Sequence, residues 1–99
     1  MAHEELKKAV LTKLEGPGWT TARAVLAIIG SEVDEEVTRR VEEAMREMAE
    51  EGQVELWKLI LDADKSEMLV AALPGLELDK ELEKRQAWAK AVRYAAAEE

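Results

Sequence analysis

Carboxylates are the most numerous of the residues able to do chemistry in this chain. Asp and Glu number 22 against 14 Lys and Arg, there is no Cys, and His3 is the sole histidine. Paired carboxylates can act as general acid and base, but only where their surroundings raise one pKa and lower the other. Here they fall at the polar positions of helical patterns, so we expect solvated helix faces instead.

The sequence gives no support for metal binding or for the common catalytic motifs. Without a Cys or a second His, the usual zinc ligand set is missing, and we expect His3 to be a disordered terminal residue. Glycine-rich phosphate loops, the nucleophile elbow and the zinc-protease helix motif are absent as well. We therefore expect no catalytic residue, no metal and no cofactor, and a protein that is not an enzyme.

The charge balance restricts the partners. The formal net charge is −8 at pH 7, which repels phosphate backbones and anionic membranes at long range and favours basic partners. The same charge could serve solubility alone, and both interpretations stay open. The first residues, MAHEELKK, lack the apolar core of a signal peptide, and the longest apolar run, 24–29, is too short to span a bilayer. We expect a soluble, cytoplasmic protein with no membrane contact.

The elements that must position these side chains begin with three predicted helices. Apolar residues recur at helical spacing in 4–14, and a Gly-Pro-Gly turn ends that segment. After a short extended stretch at 19–21, helices are predicted over 22–29 and over 34–51, the latter with Asp34 as its N-cap. The residues predicted to form the buried faces of the first and third helices are Leu6, Ala9, Val10, Leu14, Val37, Val41, Ala44 and Met48.

The pattern changes from helical spacing to alternation after Gly52. Residues 53–61 alternate and include β-branched and aromatic side chains, a polar turn follows at 62–67, and the segment 68–73 has the place of the returning strand. This combination predicts a β-hairpin. A Pro-Gly break then precedes an alanine-rich segment that predicts one last helix over 78–97.

This order of helix, short extended piece, helix, helix and hairpin resembles the winged helix-turn-helix superfamily over residues 4–73. The stretch VTRRVEEAMREMAEEGQVELW is similar to the end of a recognition helix, where a glycine closes the helix and an aliphatic residue opens the first wing strand. Trp19-Thr20-Thr21 matches the small first strand of such domains. The resemblance implies an α+β, mostly α fold, with a winged-helix domain at 1–75 and an additional C-terminal helix at 76–99. Because winged helices serve both DNA binding and protein assembly, it leaves the function open.

In the helix-turn-helix family the third helix enters the major groove and the wing often contacts the DNA backbone. The resemblance therefore implies recognition contacts by Thr38, Arg39 and Arg46, and wing contacts by Lys58 and Lys65. The surrounding charges oppose DNA binding, since residues 34–51, the predicted third helix with its N-cap, hold eight acids against three bases. Each arginine also follows a Glu by four residues, a favourable spacing for an ion pair. Two interpretations of the outer face of this helix remain. It is either a solvated face with weak ion pairs, or a face on which Arg39 or Arg46 contacts a ligand.

The predicted C-terminal helix carries an apolar stripe whose largest members are Leu78, Leu82, Trp88 and Val92. Such a stripe can pack closely against a second helix, and this helix is like the dimerisation helix that many small winged-helix regulators carry. We expect a homodimer that associates through these four residues. The alternative is that the helix packs back on its own domain.

Two functions are compatible with these patterns. The first is a small acidic module that acts mainly by protein–protein contact in a transcription, replication or similar nucleic-acid assembly, where the charge favours a basic protein partner. The alternative is a dimeric DNA-binding transcriptional regulator, which the surface charge disfavours.

Overall fold

The structure is a computed structural model that describes residues 3–30, 34–85 and 88–94. Over these residues the fold is α+β, with four helices and a four-stranded antiparallel sheet. In chain order the elements are α1 (His3–Leu14), β1 (Trp19–Thr21), α2 (Ala22–Ile28), α3 (Glu35–Glu50), β2 (Glu55–Leu61), β3 (Glu67–Ala72), α4 (Leu78–Lys84) and β4 (Ala89–Arg93).

Helices α1, α2 and α3 pack against one another and form one apolar layer. Each turns its apolar stripe inward, and Val10, Val25 and Val41 are fully buried in the cluster that the three helices share. Asp34 is the N-cap of α3, as predicted, because its carboxylate accepts hydrogen bonds from two backbone N–H groups of the first turn at 2.7 and 3.3 Å.

The sheet has the strand order β1-β3-β2-β4. Strands β2 and β3 form the predicted hairpin, with Trp57 opposite Val70. The turn occupies 62–66, inside the predicted interval, so the hairpin prediction is confirmed. Strand β1 adds to the outer side of β3, and β4 adds to the outer side of β2.

Both faces of this sheet are apolar, and a different layer covers each of them. Side chains on one face, among them Leu56, Leu69 and Ala71, pack against α1, α2 and α3. Residues at the alternate positions form a second cluster with α4 on the opposite face. That cluster contains Trp57, Leu59, Val70, Ala72, Leu78, Leu82 and Ala91. The sheet therefore lies between the three-helix layer and α4.

The prediction of one helix from 78 to 97 is wrong. Helix α4 ends at Lys84, and the residues of β4 pair with β2, so that Ala91 lies opposite Leu59. Alanine content is only a weak local preference for helix, whereas strand pairing satisfies the backbone groups along an otherwise open edge of β2. Residues 86–87 and 95–97 of the predicted helix lie outside the described residues.

The burial of α4 leads to a prediction about stability. Leu82 on α4 is 6% exposed, whereas Leu11 on α1 is 39% exposed. We expect Leu82→Ala to lower the free energy of unfolding by about 2–5 kcal/mol, because it leaves a cavity under the sheet. Leu11→Ala is the matched control, since it removes the same atoms from a helix surface and should change stability by about 0.5 kcal/mol or less. Urea denaturation of both variants checks this. A loss of stability in Leu82→Ala as small as that in Leu11→Ala would show that α4 contributes nothing to the core.

Candidate interaction surface

The surface formed by α3 and the hairpin carries the five side chains predicted to contact a ligand. Thr38 is half-buried and lies beside Arg39 in a shallow pocket between α2 and α3. Arg46 and Lys58 line another pocket, of about 180 Å³, between α3 and the sheet. Lys65 is exposed in the hairpin turn and lines neither pocket. The structure thus brings four of the five residues into two pockets along one helix.

The arginines of α3 differ in their pairing. The spacing predicted a pair between Arg39 and Glu35, four residues before it. Arg39 donates instead to the carboxylate of Glu36, three residues before it, at 2.9 Å. Arg46 has no carboxylate oxygen within 4 Å among the described residues, so its predicted pair with Glu42 is not formed. The interpretation as a solvated face with weak ion pairs therefore fits Arg39, while Arg46 is free to contact a ligand.

An open pocket of about 500 Å³ lies between the second half of α3 and the adjoining ends of β2 and β4. Arg46 and Arg93 line it together with Glu50, Glu55 and the half-buried Tyr94. The Arg93 guanidinium lies 3.4 Å from the Glu55 carboxylate. Both signs of charge thus occur side by side in one wall, an arrangement that suits a protein surface carrying both signs better than a row of phosphates.

The same mixture of charges continues between α2, α3 and the hairpin. A pocket of about 430 Å³ there is lined by Arg23 and by three carboxylates, Glu42, Asp64 and Glu67. Lys58 on β2 pairs with Glu67 across the hairpin at 3.3 Å. Each of these cations therefore shares its pocket with at least one acid.

A buried lysine of α1 joins α1 to α3 through two acids at the C-terminal end of α3. The Lys7 ammonium lies 2.7 Å from a Glu47 oxygen and 3.2 Å from a Glu51 oxygen, and the residue is only 7% exposed. His3 Nε2 lies 2.8 Å from the other Glu47 oxygen. The prediction that His3 is disordered is therefore wrong. Lys7, which lies outside the buried face predicted for the first helix, is buried as well, whereas Glu47 stays exposed, as expected for the carboxylates of helix faces.

The spacing of α1 contains the signal that would have found this cluster. His3 and Lys7 continue the row of Val10 and Leu14, because steps of four, three and four residues keep to one side of a helix. A histidine and a lysine at inward positions require acids on the facing helix, since a buried cation is costly without partners. The prediction failed because it sorted residues by polarity alone.

The pKa shifts of the described carboxyls fit structural ion pairs and local hydrogen bonds. The hydrogen bond from Lys7 lowers the pKa of Glu47, and His3 lowers it further. Hydrogen bonds from Ser66 in the hairpin turn lower the pKa of Asp64. A general acid needs a raised carboxyl pKa, and both of these shifts go the other way. Among the residues that the structure describes, no group of three or more His, Asp or Glu side chains is arranged to hold a metal ion.

The four residues predicted to mediate self-association do not share one face. Leu78 and Leu82 lie beneath the sheet and are 0% and 6% exposed. Trp88, by contrast, is 85% exposed, and Val92 is 36% exposed on β4. The apolar stripe is therefore divided between the chain's own core and the outer edge of its sheet.

Comparison with protein-family models, curated protein sequences and solved structures found no match to this chain. None of the helices in the described part of the chain has the length and apolar character needed to cross a membrane.

The cluster of Lys7 predicts how stability depends on pH. The hydrogen bond to Glu47 raises the Lys7 pKa above 10.5, so its stabilisation is present below that pH and is lost as the pH rises through the folded value. The Glu47 pKa is lowered from 4.5, so its stabilisation is present above that pH and is lost as the pH falls through the folded value. We expect the native chain to exceed a Glu47→Gln variant in stability at neutral pH, and this excess to shrink at both extremes.

Urea denaturation of the native chain and the variant at about pH 3, at neutral pH and at about pH 11 measures this difference. Glu43→Gln is the matched control, because Glu43 is exposed on the same helix. Its difference from the native chain should be small at every pH. A Glu47→Gln difference that stays constant down to pH 3 would contradict the role assigned to the cluster.

Proposed function

We propose that the chain is a winged-helix domain, extended by α4 and β4, that works by protein contact within a nucleic-acid assembly. The order α1-β1-α2-α3-β2-β3 supports the winged-helix assignment. So does the pairing of β1 with β3, which joins the first strand and the hairpin in one sheet. The assignment covers residues 4–73, the part that resembles the superfamily.

The observation that carries the functional proposal is the mixed charge of the surface formed by α3 and the hairpin. In winged helices that bind DNA this surface meets the phosphates. Here Arg39 is held by Glu36 and Lys58 by Glu67, and Glu42 lies between Arg23 and Arg46 in adjoining pockets. Phosphates would have to separate these pairs and approach the carboxylates, so few counterions would be released on binding.

A protein partner with an excess of basic residues suits this surface better. Lysines and arginines on such a partner can meet the carboxylates of α3, and the net charge of −8 guides their approach. Self-association through α4 would expose Leu78 and Leu82, which the chain already buries. We therefore assign the contact to a different protein and not to a second copy joined through α4.

One observation favours a second candidate, a DNA-binding regulator. Arg46 is exposed, faces the space between α3 and the sheet, and is free of carboxylate partners among the described residues. An unpaired arginine on the third helix is a residue that can contact a phosphate or a guanine.

Titration with random duplex DNA separates the two candidates. We expect the dissociation constant near physiological salt to exceed about 10⁻⁵ M, with a shallow salt dependence, because the contact surface is not net positive. The double variant Glu42→Gln and Glu67→Gln should bind duplex about twofold to tenfold more tightly, since it removes two charges that repel phosphates. Fluorescence anisotropy of a labelled duplex measures both values.

The matched control for this titration is the double variant Glu5→Gln and Glu83→Gln, on exposed positions of α1 and α4. It changes the net charge equally but leaves the surface of α3 and the hairpin intact, so its affinity for duplex should stay close to that of the native chain. Submicromolar binding by the native chain near physiological salt, lost in Arg46→Ala, would establish the DNA-binding candidate instead.

A lysine-rich helical peptide of defined sequence serves as the probe for the protein contact. In an NMR titration of the isotope-labelled full chain, we expect the shift changes to concentrate on α3 and the hairpin, around Glu42 and Glu67. Shift changes spread evenly over the acidic residues of α1 and α4 would indicate unspecific charge attraction and would contradict the assigned surface.

A further inference from the structure

Strand β4 is an edge strand whose outer side is open. Trp88 C=O accepts from Asp62 N–H at 2.9 Å, and Tyr94 N–H donates to Leu56 C=O at 3.1 Å. In an antiparallel pair the backbone groups of alternate residues point toward the same neighbour. The N–H and C=O groups of Ala89, Ala91 and Arg93 therefore point away from β2. Among the described residues, no strand pairs with that side.

The segment that contains β4 has the opposite charge to the rest of the chain. Residues 84–94 hold four cations and no acid, although the whole chain has a net charge of −8. Lys84, Arg85 and Lys90 are exposed and have no carboxylate oxygen within 4 Å among the described residues. The open edge therefore carries one cation, Lys90, that is free to pair with an acid from another molecule, and Lys84 and Arg85 precede the strand in the chain.

An exposed aromatic side chain stands at the start of this edge. Trp88 is 85% exposed, whereas Trp57 on the neighbouring strand is 3% exposed beneath the Arg93 guanidinium, which lies 4.6 Å from its ring centre. Tryptophan and arginine are the residues that most often anchor protein interfaces. Trp88 therefore adds apolar area to the edge at one end, while at the other end Trp57 and Glu55 already hold the Arg93 guanidinium.

We propose that β4 receives an extended acidic segment of a partner protein as a further strand of the sheet. Backbone hydrogen bonds to residues 89, 91 and 93 would hold that strand, and Lys90, which has no carboxylate partner among the described residues, would select acidic side chains on it. The inference rests on the proposed protein-contact function but uses a different surface from the one on α3 and the hairpin.

The observations favour a peptide over a nucleic acid. The open edge presents three N–H donors and three C=O acceptors in alternation, and a peptide backbone supplies partners for both. A phosphate accepts hydrogen bonds but donates none, so it would leave the outward C=O groups unmatched. An exposed tryptophan among cations can also stack on bases, which makes single-stranded nucleic acid an outcome for the test to decide.

A second copy of the chain fits the edge less well. Two β4 strands paired across a two-fold axis would bring Lys90 of each copy onto one face of the joined sheet, with no acid on either strand. Charged residues, lysine above all, are the usual means by which edge strands avoid such pairing. An acidic strand removes this repulsion, whereas a second β4 doubles it.

Hydrogen exchange with a defined probe tests the proposal. The probe is the N-acetylated, C-amidated peptide EEVTVEE, added to the isotope-labelled full chain. We expect saturating peptide to slow amide exchange about tenfold or more at residues 89, 91 and 93, and to leave residues 90 and 92 nearly unchanged because β2 already protects them. Protection without this alternation, or none at saturation, overturns the proposal.

Three variants test which contacts hold the peptide. Lys90→Glu should weaken peptide binding about tenfold, whereas Lys8→Glu, an equal charge change on the exposed side of α1, should change it less than about twofold. Ala89→Pro removes one outward donor at the first residue of the strand, where proline is tolerated, and should weaken binding about threefold to tenfold. Equal effects of the two lysine variants overturn the proposal.

Two further measurements test the other possible occupants of the edge, single-stranded nucleic acid and a second copy of the chain. In the first, oligothymidylate binds more tightly than the peptide and quenches tryptophan fluorescence, with the quenching abolished in Trp88→Ala. That result assigns the edge to nucleic acid and overturns the proposal. A dimer in light scattering without peptide, with the amides of residues 89 and 91 already protected from exchange, assigns the edge to a second copy and also overturns the proposal. Failure of the proposed function is a separate result, because tight duplex binding at Arg46 leaves the alternating protection of β4 unchanged.

Discussion

The structure depends on the need to cover both faces of one small sheet. Alternation along β2 turns Leu56 toward one side and Trp57 and Leu59 toward the other, and all three are apolar. A hairpin with one polar face could rest on α1, α2 and α3 and leave its other side in water. This hairpin cannot, since its second face would expose a tryptophan and several aliphatic side chains. The chain after β3 therefore supplies a second layer, α4, and a fourth strand.

That constraint explains how much of the fold could be predicted. The three helices, the cap at Asp34 and the hairpin follow from local patterns, which the packing reinforces. The strand at 89–93 could not be found in this way, because its alanines and its stripe at helical spacing favour a helix in isolation. Its conformation is decided by the open edge of β2, some thirty residues earlier in the chain. The second apolar face was visible in the alternation of 54–61, but the sequence does not show which segment covers it.

The candidate surface was predicted to a similar extent. The third helix placed Thr38, Arg39 and Arg46 along one surface, and the structure has them there. Which acid each arginine meets could not be predicted, because i,i+3 and i,i+4 partners compete along a helix. Lys7 was missed for a different reason. Its partners come from α3, forty and forty-four residues later, so its role depends on how the helices face each other.

The position of β4 also determines the order in which the molecule comes apart. Only one of its five residues, Ala91, is buried, so this strand is anchored mainly by its backbone ladder to β2. Elements with few buried apolar contacts open at a lower free energy than the whole domain. Strand β4 should thus detach from β2 while α1, α2 and α3 stay folded. Water then reaches the ring of Trp57 once Arg93 leaves it, so the indole of Trp57 is a built-in reporter of partial unfolding.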